Sequence, residues 1–228
     1  MKKKHLFYTE LAYLPGLILV AIGAALLAKA DFGMSMVVAP AYLLHLKLSQ
    51  TLPFFSYGMA EYVLQAVLLV LLALAMRHFK LAYLLSFITA VLYGTFLDLA
   101  LSFLGHLNLS LFSVRMVCYV LGILSTACGI SLIFHTYIPP EAYEQVVKDI
   151  SSKFGFNINK CKTCYDCISL VVSVALSFCF FGFGHFEAIK WGTLGCALFT
   201  GSIIGMFSRF FEKHFTFQDR WNYRHLFV

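Results

Sequence analysis

Five polar side chains stand out because each falls in or beside a long apolar run. Glu61 and Gln65 sit one helical turn apart and share a face. Asp98 lies toward the far end of the next run, and Lys29 and Asp31 close the first. A carboxylate in hydrocarbon is costly and cannot snorkel far, so Glu61 or Asp98 is a candidate proton or cation site lining a cavity. The bland alternative is a wet interfacial position, and for Lys29 and Asp31 it is the commoner one. On the other side Asp166 opens the fifth run and His135 closes the fourth. Asp at a helix start is most often a cap, and His at a helix end a hydrogen-bonded structural group. Thr193, at the start of the sixth run, completes the set of substrate- or ion-binding candidates.

A second chemistry is available to Cys161, Cys164 and Cys167, a C-x-x-C-x-x-C array. Thiolates at that spacing suit zinc, an iron–sulfur cluster or a redox pair, and need a further ligand such as His135 or His214. Reduced cytosolic thiols are the more ordinary state of such cysteines. No phosphate-binding glycine loop, paired-His metal helix or nucleophile elbow is present. No enzymatic activity and no cofactor are expected.

The elements that must position these groups are transmembrane. The chain is 61% hydrophobic and 12% charged, with positive mean hydropathy, against about 25% charged in soluble domains. Lipid satisfies no backbone hydrogen bonds, and the runs are too continuous for barrel strands, so they are helices. Six stretches reach about 20 apolar residues: about 12–30, 57–77, 82–104, 114–136, 166–184 and 190–211. Lys2, Lys3 and Lys4 precede the first without a small-residue cleavage site, so that helix is expected to stay. Of the 17 Lys and Arg residues, thirteen fall on the side of the N-terminus and four, Lys29, Lys47, Arg115 and Lys190, on the other. That bias predicts both ends of the chain in the cytoplasm. The net charge of +6 is thus a topology signal, and no nucleic-acid partner is expected.

The run from Gly16 to Leu44 is echoed from Gly122 onward: Gly16 and Gly23 recur 106 residues later as Gly122 and Gly129. Ala90 and Gly94 recur 107 residues later as Ala197 and Gly201. A duplicated unit holding three spans enters the membrane from the opposite side, as in many secondary transporters. The predicted fold is therefore all-α transmembrane: six helices as two inverted three-helix repeats, residues 1–108 and 109–215. The aromatic and basic tail 216–228 is placed at the cytoplasmic headgroups. After the first span of each repeat comes a short segment. Residues 34–48, with Pro40 in the middle, read as re-entrant or interfacial. Residues 139–154 are amphipathic and read first as a solvated or surface connector, second as a counterpart that dips inward.

The pattern G-x6-G-A-A-L of span one, its D-x-G bend and following Pro, then Gly192-Thr193, Ala197 and Gly201-x3-Gly205, resembles the YitT/YczE-like bacterial integral membrane proteins. The cysteine array and Trp191-Gly192-Thr193 depart from that pattern. The resemblance implies a bacterial multi-pass membrane protein of unassigned substrate. The expected function is a small secondary transporter or permease for an unknown small molecule or ion, in the bacterial inner membrane, as a homodimer or with a larger membrane partner. The alternatives are a substrate-capturing subunit of a larger uptake system, meeting its partner through Ala21 and Ala25, or a non-transporting assembly or redox-sensing protein.

Overall fold

Glycine, proline and N-cap chemistry divide the chain where the apolar runs end. The computed structural model describes residues 5–105, 111–156 and 158–220, and within them eight helices and two short strands. Strand β1 (His5–Tyr8) leads into α1 (Thr9–Ala30), which ends at Asp31 in a left-handed C-cap. α2 (Ala39–Leu48) carries Pro40 in its first turn, where no N–H partner is lost. α3 (Tyr57–Met76) starts at Ser56, whose hydroxyl accepts from Met59 N at 3.0 Å. α4 (Leu81–Leu104), α5 (Phe112–Phe134), α6 (Ala142–Phe154), α7 (Ile158–Phe181) and α8 (Trp191–His214) follow, then β2 (Phe215–Gln218).

Six of the helices, α1, α3, α4, α5, α7 and α8, are long and apolar enough to cross a membrane. The protein is a multi-pass membrane protein. α7 begins eight residues before the predicted fifth span, so Asp166 lies inside a helix and does not open one.

The bundle is centred on α1 and α5, which pack antiparallel at glycine. A methyl group on Gly16 would meet Gly129 O at 3.0 Å, and one on Gly129 would meet Gly16 O at 2.5 Å. The pair Gly23 and Gly122 repeats the contact at 2.8 and 3.1 Å. Ser125 Oγ donates to Leu19 O at 2.8 Å between the two crossings. With lipid as solvent, close backbone approach at small residues supplies the packing that the hydrophobic effect supplies in water. Ala21 and Ala25 are fully buried in this core, so they cannot form the outer contact with a partner that the subunit reading assigned them. The least covered helix is α8, with 6% of its apolar window buried against 61% for α1.

One face of the bundle holds the start of α1 and the ends of α3, α5 and α8. β1 and β2 pair there in parallel, His5 opposite Phe215, so the predicted tail begins as a strand. Thr9 Oγ1 donates to Asp219 Oδ1 at 2.9 Å, and Arg220 N to Glu10 Oε1 at 3.1 Å. The rest of the predicted tail, 221–228, lies outside the described residues. On the opposite face Asp31 meets Lys190 at 2.6 Å and Arg115 at 3.2 Å. Gly33 there has φ +115° and sits against Thr193, where a Cβ would collide with Thr193 Oγ1. Only glycine suits both its conformation and that contact.

The two short helices lie within the bundle. α6 runs beside α3 in the same direction. Its last turn is fixed by Lys153 Nζ donating to Ala75 O (2.8 Å), and its first by Ala142 N donating to Gln65 Oε1 (3.1 Å). Its N-terminus therefore stands halfway along a spanning helix. Glu141, Gln145 and Asp149, one polar stripe at four-residue spacing, are 8%, 3% and 5% exposed. The reading of 139–154 as a solvated connector is corrected. The stripe is buried because α3 and α4 present polar partners to it, among them Tyr83 Oη, which donates to Asp149 Oδ2 at 2.6 Å. α2 packs against α3 and α7, with Lys47 Nζ donating to Phe180 O at 3.2 Å.

Candidate functional site

The start of α6 meets α3 at a buried acid pair. Pro139 and Pro140 cannot donate N–H groups, and Thr89 Oγ1 of α4 donates to Pro139 O at 3.1 Å. Tyr13 of α1 bonds Thr89 Oγ1 at 2.7 Å. This anchoring delivers Glu141, the N-cap residue of α6, against Gln65. Gln65 Nε2 donates to Glu61 Oε2 at 3.3 Å and to Glu141 Oε2 at 3.4 Å. The amide cannot be turned round, because its Oε1 accepts the backbone N–H of Ala142. Tyr143 Oη completes the set, donating to Glu61 Oε2 at 2.6 Å.

Glu61 and Gln65 are fully buried. Glu61 Oε1 has no hydrogen-bond partner among the described residues, and neither has the hydroxyl of Tyr57 or of Tyr93, both buried close by. Three orphaned polar atoms in one low-dielectric cluster are costly unless a further group joins them. A proton shared by the two carboxyls, or a bound cation, lowers that cost, since two adjacent carboxylates do not both stay ionised readily. Glu141 precedes α6 and lies outside the six spans. Burial, reinforced by the Glu144 and Glu61 carboxylates, pushes it well above the ordinary carboxylate range. The cluster is thus a buried, acidic site at the junction of α3 and α6.

A cavity of about 540 Å³ opens beside this cluster, lined by Lys29, Tyr42, His45, Ser56, Tyr57 and Asp98 among others. The ring of Tyr57 is part of its wall, and Glu61 lies one helical turn behind. Tyr57, Tyr42 and His45 form an aromatic group, with Tyr42 edge-on to Tyr57 at 5.2 Å and His45 stacked on it at 6.0 Å.

The structure thus brings Glu61 and Gln65 together and sets Asp98 and Lys29 in the adjoining cavity. Asp98 also has a local role. Ser56 Oγ donates to its Oδ2 at 2.6 Å and Gly58 N to its Oδ1 at 2.8 Å, so the carboxylate sits on the N-terminus of α3.

The remaining candidates lie apart. Asp166 is paired with Lys162 at 3.3 Å, and Lys162 also meets Glu144 at 3.3 Å. His135 closes α5, with Nδ1 against Ser131 O (2.7 Å), Nε2 3.4 Å from Glu212, and its ring stacked on Phe217 at 4.5 Å. Thr193 is buried at the start of α8, where its Oγ1 accepts from Lys190 N at 3.3 Å. Cys161, Cys164 and Cys167 are free thiols on α7, the last two exposed. Among the described residues no three His, Cys, Asp or Glu side chains group closely enough to hold a metal ion.

Sequence reasoning did not find Glu141, Tyr143, Tyr57 or Tyr93. The signal for Glu141 was its four-residue register with Gln145 and Asp149 directly after two prolines.

No curated protein and no solved structure matches the chain. A family described as a family of unknown function, DUF6198, matches residues 7–209, and the chain belongs to that family.

Proposed function

We propose that the protein is a small secondary transporter coupled to protons or cations through the Glu61–Gln65–Glu141 cluster, a carrier and not an enzyme. The observation that carries this reading is a pair of buried carboxylates at the N-terminus of a half-length helix, one side-chain layer behind an open cavity. A site of that kind can be loaded from one face and, after rearrangement of the short helix, from the other.

Two inverted repeats suit the same mechanism. Gly16 and Gly122 are repeat equivalents, as are Gly23 and Gly129, yet the contacts run Gly16 to Gly129 and Gly23 to Gly122. Reciprocal contact of that form is what a two-fold axis lying in the membrane plane produces. The glycine pattern shared with the YitT/YczE-like proteins fits this reading. In this reading, which the charge bias supports, the strand-paired face is cytoplasmic and the cavity opens on the other side of a bacterial inner membrane.

Reconstitution into proteoliposomes containing a pH-sensitive dye tests the function. A panel of amino acids, carboxylates, inorganic anions and vitamins is added outside. At least one solute is expected to drive proton entry, and Glu61→Gln or Glu141→Gln to abolish it. Solute uptake that is unaffected by both substitutions, or no uptake from the whole panel, overturns the proposal. Single cysteines at Ser35 and Ser152 in a cysteine-free background test the topology. They are expected to label from opposite sides, and labelling from one side removes the inverted arrangement.

One observation favours a second reading, a membrane subunit of a larger assembly. A methyl group on Gly201 or Gly205 of α8 would meet nothing within 4 Å, so that helix has an uncovered small-residue face. Co-purification of a second membrane protein that is lost on Gly201→Leu would favour it.

A further inference from the structure

The cavity beside the acid pair carries two formal charges that do not neutralise each other. Lys29 and Asp98 both line it. Lys29 makes no hydrogen bond or ion pair among the described residues. Asp98 accepts only from neutral donors, Ser56 Oγ and Gly58 N, one at each oxygen. A carboxylate has about four acceptor sites, so each oxygen keeps capacity for another donor. Both residues are half-buried, in a partly desolvated space where charge–charge interactions are stronger than in water.

We infer that this cavity binds a small zwitterion of the amino-acid type, its carboxylate at Lys29 and its ammonium at Asp98. A solute bearing a single negative charge gains Lys29 but is repelled by Asp98. A single positive charge meets the reverse. Only a solute carrying both leaves neither protein charge without a partner, and that difference is the source of selectivity. The aromatic group of Tyr42, His45 and Tyr57 supplies one part of the wall, beside Ala28, Leu101 and the hydroxyls of Ser56 and Ser102. It suits both an ammonium over a ring face and an apolar side chain. The volume, about 540 Å³, lies within the usual range for small-molecule sites, roughly 300–1,000 Å³. The inference rests on the transporter reading for its biological sense, and on the cavity alone for its chemistry.

The test uses the purified full-length protein in detergent and the midpoint of thermal unfolding. The probes are the twenty free amino acids, then the methyl ester and the N-acetyl derivative of each one that shifts the midpoint. The ester lacks the negative charge and the N-acetyl form the positive one. The expected result is stabilisation by at least one amino acid, with both derivatives weaker by about tenfold or more. In Lys29→Gln, a side chain with no bonds to lose, the amino acid should fall to the affinity of its own ester. Equal binding of the N-acetyl derivative makes the cavity an anion site, and equal binding of the ester makes it a cation site. Either result overturns the inference, as does the absence of a shift from all twenty. Stabilisation without uptake in proteoliposomes keeps the zwitterion site and removes the transporter reading. Proton-coupled uptake of a singly charged solute alone does the opposite.

Discussion

Tyr143 Oη donates a 2.6 Å hydrogen bond to Glu61 Oε2 across 82 residues of chain, joining the first turn of α6 to α3. It is the shortest polar bond in the buried cluster, and it fixes which carboxylate oxygen is occupied. Oε2 takes both Tyr143 and Gln65, while Oε1 accepts no hydrogen bond among the described residues.

Tyr143→Phe removes that donor and little else, since the ring can keep its packing. A buried acceptor left without its best partner costs about 1–3 kcal/mol. The thermal midpoint of the purified protein is expected to fall. An unchanged midpoint would mean that α6 is held by its other contacts alone.

Glu141 gives a pH dependence whose sign is fixed by linkage. Its carboxyl holds a proton well above the ordinary range in the folded chain, through burial first and the Glu144 and Glu61 charges second. Such a group adds stability that is fully present below its unfolded pKa, about 4.3. That contribution is lost as pH rises through its folded value, with a limiting slope of about 1.4 kcal/mol per pH unit. The midpoint of thermal unfolding should therefore decline with rising pH across this window. Glu141→Gln, neutral throughout, should flatten the decline. A wild-type curve that rises with pH over the same window would contradict the assignment.

Two glycines separate packing from exposure. Gly129→Ala places a methyl 2.5 Å from Gly16 O and 2.8 Å from Val20 N, both backbone atoms that cannot turn aside. The α1–α5 crossing must widen, at about 1–3 kcal/mol. Gly201→Ala meets nothing within 4 Å and should leave the midpoint unchanged or slightly higher, since alanine favours the helix. Equal midpoints for the two variants would remove the glycine crossing from the account of the core.

Much of this fold was legible in the sequence, because a span is written in a continuous run of local residues. The run predicted at 57–77 forms α3 at Tyr57–Met76, and 82–104 forms α4 at Leu81–Leu104. Glu61 and Gln65 were legible for the same reason, one face of one helix. Glu141 was not, because its burial depends on Tyr143, Gln65 and Thr89 arriving from elsewhere in the chain. Amphipathicity misled at α6: its polar stripe suggested water, whereas it is matched by Tyr83, Lys80 and Gln65. The β1–β2 pair was missed because each strand is four residues long and its partner is 210 residues away.

The other end of α6 shows which half of an ion pair matters. Asp149 and Lys80 are 3.0 Å apart, with side-chain exposures of 6% and 43%. Lys80 reaches solvent and can be rehydrated when its partner goes, so the pair itself contributes little, about 0–1 kcal/mol. Asp149 is different. Its carboxylate also accepts from Tyr83 Oη at 2.6 Å and Gln145 Nε2 at 3.2 Å, so deleting it orphans two donors in the interior. Lys80→Ala is therefore expected to be nearly silent in hydrogen exchange. Asp149→Ala should speed exchange of the α6 amides by at least about tenfold, because α6 loses its polar attachment to α4. If both variants exchange alike, the anchor is the Lys153 bond to Ala75 O at the end of α3, and Lys153→Met becomes the variant that frees the helix.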